Sequence, residues 1–213
     1  MFSVRSVLSV VCALALAGSV LGQQLPDESY LSLQEKAAWL LNSHHVLVDL
    51  KISGGQQQEI ASAQSAYSAK QQKLFKGGTP SESQLAVLDH QFASAATAIL
   101  SDAQKSRLQE IALQIEGPRA LMGHPVLDQV SITSAQLAKI KAIYAAESAT
   151  EDSMDQKLAQ QLTGIKDVGQ RNKLALEDER LRKQRQRADD QKVLGILTAD
   201  QQTRWATLQG PRF

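Results

Sequence analysis

The chain carries a single cysteine, Cys12, which lies inside an apolar run near the start, so no disulfide framework, thiol nucleophile or cysteine-based metal site is available downstream of it. Aromatic residues make up only 4% of the chain. That scarcity argues against a thick globular core and for thin helical layers packed by Ala, Leu and Ile. Excess charge is missing too. One of the 23 Lys and Arg residues, Arg5, precedes residue 23, and the rest balance the 22 acidic residues, so bulk attraction to nucleic acid or an anionic membrane is not indicated. The sequence has no Gly-x-Ser-x-Gly elbow, and Gly54-Gly55 and Gly77-Gly78 lack the lysine and spacing of a phosphate loop. His44 and His45 are adjacent, which on a helix turns them about 100° apart, and neither has an i, i+4 partner. His90 and His124 are isolated. No catalytic residue, cofactor or metal ligand is therefore assigned, and a non-enzyme is expected.

Residues 1–22 read as a secretory signal peptide. Arg5 supplies the positive start, Val7 to Ala17 the apolar core, and Val20-Leu21-Gly22 a small-residue exit before Gln23. The apolar run is shorter than the roughly 20 residues that span a bilayer, which favours cleavage over a retained anchor. A periplasmic or secreted location follows.

Beyond the leader, one pattern recurs four times: an apolar residue, Ser or Thr, two variable residues and Gln. Its copies begin at Ile52 (Ser53, Gln56), Leu100 (Ser101, Gln104), Ile132 (Thr133, Gln136) and Leu197 (Thr198, Gln201). A hydroxyl three residues before a Gln is the capping box of a helix start, the hydroxyl accepting from the N3 amide and the Gln reaching back to the cap amide. Seven residues after the four caps stand Ile60, Leu108, Ile140 and Trp205, and ten residues after them stand Ala63, Ile111, Ile143 and Leu208. Four helices with one apolar phase are expected. The second and fourth copies are also followed by Gly-Pro-Arg, at 117–119 and 210–212, so the chain looks like a tandem duplication.

Between these copies the sequence predicts a helix from Ser32 that loosens at Asn42-Ser43-His44-His45, and one from the first motif to about Phe75, ended by Gly77-Gly78. A helix over 80–98 follows, with Leu85, Leu88, Phe92 and Ala96 on one face. Residues 117–127 read as the linker between halves. The longest helical stretch runs from Ser134 to about Leu197, with breaks expected at 148–153 and 164–169. Within it, residues 171–192 hold 8 Lys or Arg and 5 Asp or Glu. The basic residues Arg180, Arg182, Lys183, Arg185 and Arg187 form the strongest charge feature, either a solvated helix face or a protein-binding surface. No aromatics interleave them, so single-stranded nucleic acid finds no stacking platform.

Leu197-Thr198-Ala199-Asp200-Gln201 matches letter for letter the Leu-Thr-x-x-Gln motif, and the chain resembles the Spy/CpxP-like family of periplasmic proteins; the other three copies have Ile for Leu or Ser for Thr. The resemblance implies an all-α fold of elongated helical hairpins, here two tandem Spy-like units with long antiparallel helices, over 23–122 and 123–213. It also implies an ATP-independent chaperone or envelope-stress modulator that binds unfolded or partner proteins. A Spy-like subunit with two motifs works as a twofold pair, so four motifs in one chain imply a monomer with an internal pseudo-dimer, or else a homodimer. A structural or scaffolding envelope protein is the alternative, and a metal-resistance or metal-sensing protein the third reading.

Overall fold

The computed structural model describes residues 32–213, and every regular element among them is helical. The protein is all-α. The leader read over residues 1–22, and the chain start near Gln23, lie outside the described residues. The elements are α1 (Leu33–Trp39), a 3-10 turn (Leu40–Asn42), α2 (His44–Asp49), α3 (Gly54–Lys76), α4 (Glu82–Ala98) and α5 (Asp102–Glu116). A second 3-10 turn (Gly117–Met122), α6 (Val126–Val130), α7 (Ser134–Thr163), α8 (Val168–Leu194) and α9 (Ala199–Gln209) complete the order. Two compact units result, one of described residues up to Glu116 together with Leu208–Phe213, the other of Gly117–Thr207.

In the first unit, α1 opens with a capping box between Ser32 and Glu35 and packs against both α4 and α5. The buried small side chains of Ala37 and Ala38 let these helices approach closely. Trp39, buried at the end of α1, lies 4.5 Å from the Phe92 ring and 4.8 Å from that of Tyr67 in an edge-on contact. Such pairs add to area burial. Three aromatics, Trp39, Tyr67 and Phe92, thus form one cluster in the first unit. α3 and α4 form an antiparallel hairpin, because Gln56 near the start of α3 reaches Ile99 whereas Tyr67 further along it reaches back to Asp89. The expected stripe of Leu85, Leu88, Phe92 and Ala96 is buried. Asp89 is buried beside it, accepting a 2.7 Å hydrogen bond from the Tyr67 hydroxyl.

In the second unit, α7 and α8 form another antiparallel hairpin, with Tyr144 meeting Asp190 and Asp155 meeting Arg182. Burial is concentrated at its base. Ile140 and Tyr144 on α7, Val193 on α8 and Trp205 on α9 are buried, together with Leu121, Val126 and Val130. Towards the tip the seam is carried by half-buried Met154, Leu158, Leu162 and Leu174.

Several boundaries differ from the sequence expectation for local reasons. α4 starts at Glu82, not residue 80, because the Ser81 hydroxyl accepts from the Gln84 amide while the Gln84 carbonyl accepts from the Ser81 N–H. The short helix before the first motif restarts at His44, and Asn42 is held by donating to Trp39 O at 3.0 Å. No break occurs over 148–153: Thr150 folds its hydroxyl onto Ala146 O and α7 runs on to Thr163. The break at 164–167 is real, and Asp167 caps α8 through the Gln170 amide at 2.7 Å. Residues 117–122, read as linker, form a 3-10 turn that buries Pro118, Ala120 and Leu121.

The apolar phase counted from the caps places Ile60, Leu108, Ile140 and Trp205 among the buried residues. Trp205→Ala is expected to cost about 3–5 kcal/mol, the usual range for truncating a large buried aromatic. Urea unfolding followed by circular dichroism measures this, and an unchanged midpoint would remove Trp205 from the core.

Candidate functional site

The four motif glutamines meet in two pairs. In the first unit, Gln56 Nε2 donates to Gln104 Oε1 at 2.8 Å, and Gln104 Nε2 donates to Gln56 Oε1 at 3.2 Å. In the second, Gln136 Nε2 donates to Gln201 Oε1 at 2.7 Å and Gln201 Nε2 to Gln136 Oε1 at 3.0 Å. Each amide also spends its other donor on a carbonyl just before the partner motif: Ile99 O, Leu50 O, Ile196 O and Ser131 O respectively. Each Oε1 accepts a second bond from its own cap amide, that of Ser53, Ser101, Thr133 or Thr198. All four positions of every side-chain amide, two donor and two acceptor, are therefore filled.

This arrangement explains the residue types. Ser53, Ser101, Thr133 and Thr198 each accept from the N3 amide of their glutamine at 3.2–3.3 Å, fixing where the side chain starts. Ile52, Leu100, Ile132 and Leu197, which open the four motifs, are buried, while Gln56, Gln104 and Gln136 are half-buried and Gln201 is buried. A capping box alone accepts Glu as readily as Gln, but two carboxylates facing each other would repel and would leave two carbonyls without donors. The amide is required by the pairing.

The backbone leading into the motifs repeats in the same alternation. Ahead of the first and third, Lys51 (φ 52) and Ser131 (φ 60) adopt the left-handed conformation. Ile52 N then bonds Leu47 O at 3.0 Å and Ile132 N bonds Leu127 O at 2.9 Å, the bond pattern of a Schellman helix end. Ahead of the second and fourth the turn is tighter, Leu100 N to Thr97 O and Leu197 N to Leu194 O. The repeat of the motifs is thus accompanied by a repeat of backbone hydrogen bonds that the motifs do not encode.

The glycines of the two Gly-Pro-Arg segments share a left-handed backbone, Gly117 having φ 66 and Gly210 φ 61, although 117–122 continue as a 3-10 turn and 210–213 form no helix. In the first unit a Cβ at Gly210 would overlap the Glu110 carboxylate. Gln114 Nε2 donates to Gln209 O and Pro211 O, and its Oε1 accepts from Phe213 N. Arg107 donates to Pro211 O while bridging Asp49 and Glu110. That guanidinium holds the Asp49 carboxyl below its ordinary range, chiefly by direct hydrogen bonding. In the second unit Arg119 pairs with buried Glu147 and lies 4.2 Å over the Tyr144 ring, whose hydroxyl donates to Asp190 at 3.0 Å. Burial pushes the Glu147 carboxyl up, against the pull of Arg119 and with the help of Glu151, Asp189 and Asp190.

The basic run on α8 is divided by the helix. Arg182 and Arg185 lie on the stripe that faces α7, Arg182 bonding Asp155 across the seam and Asp178 one turn back. Arg185 Nη2 is buried and has no hydrogen-bond partner among the described residues. Arg180 and Arg187 are exposed, and Lys183 pairs with Glu179. Only part of the predicted surface therefore points outward. His44 and His45 lie side by side and exposed. No group of three His, Cys, Asp or Glu residues that could hold a metal ion is present among the described residues.

Comparison with family models finds no match to this chain, and comparisons with curated proteins and with solved structures find none.

Two outcomes follow from the geometry. Gln104→Glu keeps the cap but removes the donors to Gln56 and Leu50 O, so about 1–3 kcal/mol of stability is expected to be lost, whereas Gln84→Glu, in a capping box outside either pair, is expected to cost under about 0.5 kcal/mol. Equal urea midpoints for the two variants would show that pairing contributes nothing. Glu147, with its carboxyl raised by folding, binds its proton more tightly in the folded chain, so its contribution is fully present in acid and is lost as pH rises through the folded-state pKa. Glu147→Gln lacks that loss and is expected to gain in melting temperature relative to wild type from about pH 4 to about pH 7. Parallel melting curves across that range would show that Glu147 does not titrate differently on folding.

Proposed function

We propose that this chain is a secreted or periplasmic, non-enzymatic helical protein, built as two tandem Spy-like units, that holds unfolded or partner proteins without ATP. The observation that carries the reading is the distribution of apolar side chains. Val87 is 58% exposed, Leu176 66% and Val168 67%, with Phe75 and Leu181 also exposed, and all sit on two-helix hairpins among charged neighbours. Exposed apolar residues interspersed with charge suit weak, adaptable binding to chains of many sequences. The resemblance of the four motifs to the Spy/CpxP-like pattern supports the same reading, since the paired glutamines are a structural device that leaves the hairpin faces free for contact. Assembly is proposed as a monomer with an internal pseudo-dimer, or a homodimer.

The purified chain, in several-fold excess and without nucleotide, is expected to suppress light scattering by an unrelated protein diluted from denaturant. No suppression would overturn the holding reading in favour of a scaffolding role.

A further inference from the structure

The tip of the α3–α4 hairpin combines apolar and basic side chains. An open groove of about 690 Å³ runs along it, with Leu74, Pro80, Val87 and Leu88 providing apolar wall and Lys70 and Lys73 the rim. None of its lining residues is acidic. Lys76 stands beside it, and Lys70, Lys73 and Lys76 form no ion pair with any carboxylate among the described residues. Lys70 donates only to the neutral Gln91, at 2.9 Å. Lysines in a last helical turn complement the helix dipole, and that accounts for Lys73 and Lys76. It does not account for Lys70, a turn and a half further in, or for Val87, exposed on the facing helix. The connecting Gly78 has φ 126 and no atom close to where a side chain would stand, so the mouth of the groove stays open.

We infer that this groove docks an acidic amphipathic segment of a partner protein, its apolar side chains laid against Leu74, Val87 and Leu88 and its carboxylates against Lys70, Lys73 and Lys76. The inference rests on the reading of the chain as a protein-binding molecule and names the surface and the chemistry of what it takes. Charge complementarity selects the occupant. An apolar floor with a rim of one sign attracts segments of opposite charge and repels basic ones of the same hydrophobicity. The groove fits the helix-in-groove mode, in which apolar anchors at i, i+3 or i+4 and i+7 enter while the polar face stays wet. Single-stranded nucleic acid is a poorer fit, because no aromatic ring lines the groove to stack a base.

The test uses the full chain and three fluorescein-labelled probes: a Leu/Glu amphipathic peptide, the same peptide with Lys for Glu, and an oligothymidine of equal negative charge. Binding by fluorescence anisotropy is expected for the acidic peptide alone. It is expected to weaken at least tenfold in Val87→Glu and in Lys73→Glu, and to weaken with added salt. Val87 is exposed, so an unchanged circular dichroism spectrum and melting temperature in Val87→Glu would assign the loss to the groove. Equal binding of acidic and basic peptides, equal binding of the oligothymidine, or unchanged binding in both variants would overturn the inference. A chain that suppresses aggregation but ignores the acidic peptide removes the groove and keeps the holding reading. One that binds the peptide but suppresses nothing keeps the groove and removes the holding reading.

Discussion

The reciprocal glutamine pair is the interaction on which each unit depends. It ties two helix starts far apart in sequence, 48 residues in the first unit and 65 in the second, through side chains that are already fixed by their own capping boxes. Preorganisation by the cap lowers the entropy lost on pairing, and Ile52, Leu100, Ile132 and Leu197, next to the caps, anchor each helix start in the core. The same four apolar residues begin the phase that buries Ile60, Leu108, Ile140 and Trp205. A local motif thereby sets both the direction of a helix and the face it turns inward.

What was legible in the sequence and what was not divides along range. A Ser or Thr three residues before Gln predicts a helix start from adjacent atoms alone, and the hydrogen bonds at Ser53, Ser101, Thr133 and Thr198 have that form. The pairing of Gln56 with Gln104 is a contact between segments, and one capping box looks the same whether or not a second one faces it. The use of Gln at all four positions, where Glu would also cap, was the available signal. At residue 80 the sequence favoured Thr79-Pro80 as a start because Pro suits a first helical turn, yet Ser81 with Gln84 makes the box. The break expected over 148–153 does not form, because α7 stays paired with α8 through that stretch and its backbone keeps the helical bonds.

Charge was the least legible feature. A run such as Arg180 to Arg187 reads as one surface along the sequence, but a helix sends Arg182 and Arg185 to one side and Arg180 and Arg187 to another. The inward pair then joins the seam with α7. Glu147 on that helix is buried as well, paired with Arg119 from the turn that was read as a linker. Removing one partner of such a pair is costly even where the pair itself adds little, because the remaining charge stays buried. These ions therefore constrain which helix faces meet more than they add to stability.

The two hairpins also leave apolar side chains that their own seams do not cover. A two-helix layer has one seam, so along α3 only Ile60 is fully buried and along α8 only Val193. Apolar residues away from the seam have no third helix to cover them. Val87 and Phe75 near the α3–α4 tip, and Val168, Leu176 and Leu181 on α8, stay in water at a cost of about 25 cal/mol for each Å² left uncovered. The buried aromatics do not reach them: Trp39, Tyr67 and Phe92 pack on one another in the first unit, and Tyr144 and Trp205 lie in the core of the second. In the proposed binding role, a partner chain laid on these faces would remove that cost, and the lysines at the first tip would favour an acidic one.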